Sequence, residues 1–103
     1  MTAVAVIALL GDEGSAASLA AGFEEEGVPL VCEPAAGEPL GLARAAAGRS
    51  PLGLGIGGDG DRLVLVLAAS PAHAYLEAHA ADARAFAHDV ARVAARRPLR
   101  RLV

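Results

Sequence analysis

The chain has 103 residues; 54% are hydrophobic but only 3% are aromatic, and there is no Trp and no Lys. A length like this suits one domain with a single modest core and leaves little room for a deep, self-contained active site. The net charge of −3 counts against nucleic acid as a partner, because phosphate binding needs a net basic footprint.

The charge is unevenly spread. Residues 1–61 hold nine acids and two arginines, or −7, while residues 62–103 hold seven arginines and three acids, or +4. Such asymmetry is expected to mark an interaction surface. The one cysteine, Cys32, forms no internal disulfide, which fits a reducing, cytoplasmic setting. The apolar run of residues 3–10 lacks a preceding positive segment and is too short to span a bilayer, so neither a signal peptide nor a membrane partner is expected.

In chain order, Ala3 to Leu10 reads as a buried strand closed by Gly11. Asp12 or Ser15 can cap the helix that follows, whose apolar stripe is Ala16, Leu19, Ala20 and Phe23. Gly27 suits the left-handed turn that ends such a helix. Val28 to Cys32 is a second strand, and strand-helix-strand order predicts parallel pairing with a right-handed crossover. Glu33 to Glu38 reads as a loop, Leu40 to Ala47 as a short helix ended by Gly48, and Leu52 to Ile56 as a third strand. Asp59-Gly60 in the following turn predicts a hairpin, which makes the fourth strand, Arg62 to Ala68, antiparallel to the third. Ser70 to Ala81 has no clear period. A last helix runs from a cap at Asp82 to about Arg97, carries Phe86, Val90 and Val93 on one face, and is stopped by Pro98. The fold expected over residues 1–103 is therefore one three-layer-like α/β domain, a mixed sheet of about four strands flanked by helices.

The glycine run Gly53, Gly55, Gly57, Gly58 and Gly60 invites a nucleotide-binding reading, but its context is wrong. A dinucleotide fingerprint needs its glycines between a strand and a helix, and a phosphate loop needs a lysine. This run enters a hairpin, so turn geometry and close strand packing are the simpler account. His73, His79 and His88 lack the spacing of a helical zinc site. The serines Ser15, Ser18, Ser50 and Ser70 lack a nucleophile-elbow context.

Glu24-Glu25-Glu26 is the local anomaly. The three carboxylates fall in the last turn of the first helix, where the dipole is negative, and they repel one another. At about 100° per residue Glu25 lies about 160° from Phe23, so it points away from the core. A cation, or an arginine from another chain, would relieve the strain; a plain solvated acidic face is the alternative.

Three segments occur in order: Gly22-Phe23-Glu24-Glu25-Glu26-Gly27-Val28-Pro29, Ser50-Pro51-Leu52-Gly53-Leu54-Gly55-Ile56, and Ala91-Arg92-Val93 followed by Pro98-Leu99-Arg100 and Leu102. Together they resemble the small subunit of diol/glycerol dehydratase reactivating factors, a family related in fold to the dehydratase medium subunit. Residues 71–88 depart from its pattern. The resemblance implies a chain that is not an enzyme itself. It implies a partner, a large subunit with an actin-like ATPase domain, in a heterotetramer. It implies chaperone-like work: the small subunit exchanges with the medium subunit of an adenosylcobalamin-dependent dehydratase, so that damaged cobalamin leaves. It also implies that Glu25, the middle glutamate, completes a Mg2+ site at the subunit interface, with no cofactor in the isolated chain. The cytoplasm is the expected location, with a bacterial microcompartment as a variant of it. Two other readings stand beside this one: a short relative of the medium subunit that borders cobalamin, and a small nucleotide- or metabolite-binding enzyme resting on the glycine run.

Overall fold

The computed structural model describes residues 4–101, with side chains as far as Ala95. Strand β1 is Val6–Leu10, helix α1 Glu13–Glu26, β2 Leu30–Pro34, α2 Pro39–Arg49, β3 Leu54–Gly58, β4 Arg62–Leu67, β5 Leu76–His79, and α3 Ala83–Arg101. One sheet holds all five strands in the order β2-β1-β3-β4-β5. β1 pairs in parallel with β2 and β3, while β4 pairs antiparallel with β3 and β5.

Side-chain alternation along the strands builds two cores, one on each face. Val6, Ala8 and Leu10 of β1, Leu54 and Ile56 of β3, and Leu63 and Leu65 of β4 pack with Leu19 and Phe23 of α1 and Phe86, Ala87 and Val90 of α3. Their neighbours Ile7, Leu9, Val64 and Val66 turn to the other face and meet Ala43, Ala46 and Ala47 of α2. The result is three layers, with α1 and α3 on one side of the sheet and α2 on the other. Leu, Ile and Val come mainly from strands and Ala from helices, as the scarcity of aromatics required.

The glycines of β3 explain how α2 sits so close. A Cβ on Gly55 would lie 2.0 Å from the Ala47 nitrogen, and one on Gly57 would lie 2.1 Å from the Pro39 oxygen. The helix backbone therefore rests on the strand backbone, and only glycine leaves room for it. The glycine run is used for packing, in agreement with its context in the sequence.

The parallel strand-helix-strand unit and the antiparallel hairpin form as expected, and several boundaries move. Ala3 lies outside the described residues. The second strand begins later and runs through Pro34, which an edge strand tolerates because its amide is not needed on the open side. α2 starts at Pro39 because Glu38 caps it, accepting from the Leu40 and Gly41 amides at 2.8 and 3.1 Å. It passes Gly48 and ends at Arg49, capped by Ser50, whose amide donates to the Ala46 carbonyl. β3 reaches Gly58, so the turn is shorter than expected; the Asp59 carboxylate shapes it by accepting from the Asp61 and Arg62 amides, both at 2.9 Å.

Two differences are larger. A fifth strand, β5, arises in the stretch without period, because pairing with β4 rather than its own pattern makes it a strand. A single 3-10 turn, Ala80–Asp82, then leads into α3, so Asp82 stands in that turn. Helix α3 does not stop at Pro98 but continues to Arg101. A proline inside a helix removes one backbone hydrogen bond and its ring crowds the carbonyl four residues earlier, which is why it reads as a stop in the sequence.

Candidate functional site

The glutamate triplet closes α1, and its position follows from how that helix begins and ends. Asp12 is the N-cap, its carboxylate accepting from the Ser15 amide at 2.8 Å. Gly27 takes φ 71°, and its amide donates to the Glu24 carbonyl while the Val28 amide donates to Phe23, both at 3.1 Å. These two bonds form the Schellman motif that terminates a helix. The buried stripe is Ser15, Leu19, Gly22 and Phe23; Ala20, expected on it, is exposed. Gly22 replaces it because α1 meets α3 there. A Cβ on Gly22 would lie 2.6 Å from the Ala87 Cβ and 3.0 Å from the Arg84 carbonyl oxygen.

This close approach brings the next turn of α1 against α3. Glu25 and Glu26 lie three and four residues beyond Gly22 and share its face of the helix. On α3, Arg84, His88 and Arg92 recur every four residues and form one cationic stripe. The Arg84 guanidinium grips Glu25 as a fork: Nε donates to Oε1 at 3.1 Å and Nη2 to Oε2. His88 lies between two carboxylates, with Nε2 2.9 Å from Glu25 Oε1 and Nδ1 2.6 Å from Glu26 Oε2. The Arg92 Nε stands 3.8 Å from the same Glu26 oxygen. Glu24 makes no ion pair among the described residues.

Carboxylates on both ring nitrogens favour the imidazolium form of His88, in which both nitrogens donate. The charges reinforce this. The hydrogen bond to Glu26, and with it the one to Glu25, raises the His88 pKa above its ordinary value, against a smaller opposing effect of burial. The Arg84 fork, helped by His88, holds the Glu25 carboxyl below its own. Glu25 thus points off the core, as the helical geometry required, with its side chain 43% exposed. Within the chain itself, Arg84, His88 and Arg92 of α3 face Glu25 and Glu26. Part of the charge asymmetry between the two halves is satisfied internally.

Magnesium takes hard oxygen donors, and the Glu25 carboxylate is one of that kind, reachable from solvent. Among the described residues no group of three or more His, Cys, Asp or Glu could hold a metal ion.

The remaining candidates are dispersed. His73 and His79 are exposed, and Cys32 is an exposed free thiol on β2. Ser50 is structural: its hydroxyl donates to the Ala5 carbonyl at 2.7 Å and accepts from the Leu52 amide at 3.1 Å. One feature had no signal in the sequence, a mainly apolar cavity of about 220 Å³ at the C-terminal ends of β1 and β2, lined by Leu10, Asp12, Ala16, Cys32 and Pro34 among others. It is smaller than the roughly 300–1,000 Å³ of a usual ligand pocket. No helix among the described residues is long and apolar enough to cross a membrane.

Comparison with known proteins bears on the same features. No curated protein matches the chain. Among solved structures, a chain from a diol dehydratase-reactivating factor complexed with ADP and Mg2+ is 28% identical, with a TM-score of 0.79 over 90% of this chain and 94% of that one. A chain of a glycerol dehydratase reactivase shares the fold, with 23% identity and a TM-score of 0.80 over 89% and 92%. The resemblance to reactivating factors carried by the triplet and the Ser50-Pro51 strand therefore extends through the whole domain. The family model for the dehydratase medium subunit matches residues 3–100, and the chain belongs to that family.

Proposed function

We propose that this chain is the small subunit of a chaperone-like reactivating factor for an adenosylcobalamin-dependent diol or glycerol dehydratase. The observation that carries this reading is the match to a chain of a diol dehydratase-reactivating factor, which spans nearly all of both chains. In this reading the chain is not an enzyme. A large subunit performs the ATPase chemistry, the two form a heterotetramer in the cytoplasm, and the small subunit gives up its place to the dehydratase medium subunit so that damaged cobalamin is released. Glu25 would be this chain's ligand to a magnesium ion at the interface, and the ion would supply positive charge between the two chains.

The test is to combine the chain with a large subunit of such a factor and follow the complex by size exclusion with light scattering. A complex that forms with ADP and Mg2+, and releases the chain when ATP and inactivated dehydratase are added, is the expected result. Glu25→Ala is expected to weaken that complex in magnesium and to leave its affinity in EDTA unchanged, with smaller effects from Glu24→Ala and Glu26→Ala. Equal effects from all three would mean a diffuse acidic face and no ligand. The second reading, a medium-subunit relative bordering cobalamin, is favoured by the description of the family model itself. It predicts instead that the chain joins the large and small dehydratase subunits and retains cobalamin absorbance.

A further inference from the structure

We propose that Arg84 is an internal stand-in for the interface cation, holding the Glu25 carboxylate while the chain is free and swinging off it when the metal and the partner arrive. This inference rests on the reading of Glu25 as the magnesium ligand, and it adds the regulation of that site.

Both Glu25 oxygens are occupied: Arg84 takes each of them, and His88 Nε2 shares Oε1. The Arg84 guanidinium offsets the Glu25 charge, and Arg92 stands 3.8 Å from the neighbouring Glu26, which weakens the pull of this pair on a divalent ion in water. A two-pronged, charge-assisted bond is strong for its kind, and magnesium sheds its waters reluctantly. Magnesium alone is therefore a poor competitor for Glu25.

The arrangement is nonetheless built to open. The Arg84 backbone lies close against α1, its carbonyl oxygen 3.0 Å from where a Cβ on Gly22 would stand, while its side chain is 61% exposed. Letting go needs a change of rotamer and no movement of either helix. Docking brings further oxygens, and these complete the coordination that tips the exchange. The guanidinium thereby keeps the carboxylate oriented and closed to stray cations until the partner is present.

Arg84→Met keeps the apolar stem and removes the guanidinium, and Arg84→Lys keeps the charge without the fork. Affinity for the large subunit is measured with magnesium and in EDTA for wild type, both Arg84 variants, Glu25→Ala and the double variant Glu25→Ala/Arg84→Met, each shown to be folded by thermal unfolding. Arg84→Met is expected to tighten the complex roughly tenfold in magnesium, with no gain in EDTA and none in the double variant; Arg84→Lys gives a smaller gain. If Arg84→Met does not fold, Arg84→Lys alone decides, and no gain from it overturns the proposal. If Arg84→Met weakens the complex or leaves it unchanged while Glu25→Ala abolishes the magnesium dependence, Arg84 is a strut between helices and the stand-in is wrong although the ligand is right. If Glu25→Ala keeps the full magnesium dependence, the ligand reading fails and takes this proposal with it. In the free chain, the Arg84 Nε–H resonance is expected to be unmoved by magnesium chloride alone and to lose its carboxylate-bonded shift on docking in magnesium.

Discussion

His88 shows how a side chain that looks idle in the sequence acquires a definite charge from its neighbours. Its two ring nitrogens face Glu26 at 2.6 Å and Glu25 at 2.9 Å, and both partners are acceptors. Its folded pKa lies above the ordinary 6.5, so its contribution to stability is complete below pH 6.5 and is lost as pH rises through the folded value. Glu25 behaves in the opposite sense. Its folded pKa is below the ordinary 4.5, so its contribution is present above pH 4.5 and is lost as pH falls through the folded value. Urea unfolding of wild type and His88→Gln is expected to differ most between pH 5 and 6 and to converge in the alkaline range; a difference independent of pH would show that the ring remains neutral. The sequence showed that Glu25 leaves the core, but not what it meets. Periodicity is a property of one helix, whereas the ion cluster depends on two helices touching at Gly22. The readable sign was the recurrence of Arg84, His88 and Arg92 every four residues, a cationic stripe along one helix face.

At the scale of elements, glycine is the residue on which the layers depend, and it acts differently on the two faces of the sheet. On β3 it admits the α2 backbone, and in α1 it admits α3. Gly57→Ala would place a Cβ 2.1 Å from the Pro39 oxygen and 2.4 Å from the Ala43 nitrogen, both backbone atoms that cannot turn aside. The variant is expected to be destabilised by about 3 kcal/mol or more, the upper end for overpacking, read as the urea midpoint or as loss of a cooperative transition. Gly22→Ala meets a side-chain Cβ on Ala87, so Ala87→Gly is expected to restore part of its stability, and the remaining loss reflects the Arg84 carbonyl. Additive losses in that double-mutant cycle would mean that the helices separate instead of repacking. The order of strands and helices was legible because β1, α1 and the β3–β4 hairpin carry their own local signals: an apolar run, a capping aspartate, and Asp59-Gly60. β5 carries none, since Leu76–His79 is a strand only through its pairing with β4. The continuation of α3 past Pro98 was likewise hidden, because an interior proline costs a hydrogen bond and a steric clash with the preceding turn and so reads as a stop.

For the whole molecule, the decisive question is where nucleotide chemistry resides, and we expect it to reside outside this chain. A phosphate needs free amides at a helix N-terminus, opened by glycine, with a lysine or metal at hand. There is no lysine. The glycines of β3 lie beneath α2, where the Gly55 and Gly57 positions are closed by helix backbone. Gly11 does stand between β1 and α1, but the next residue, Asp12, caps the helix with its own carboxylate, and Glu13 adds a second negative charge in the first turn. An incoming phosphate would have to displace one anion and approach another, at the end of the helix that would otherwise attract it. The isolated chain is therefore expected to show no ATP hydrolysis above background, and no calorimetric heat of binding for ATP or ADP with magnesium at micromolar nucleotide. Micromolar affinity in the chain alone would overturn this and return the glycine-run reading. No heat with the chain alone, together with nucleotide-dependent heat when the chain meets a reactivating-factor large subunit, would place the chain where its fold fits it, as a surface that responds to a nucleotide bound by its partner.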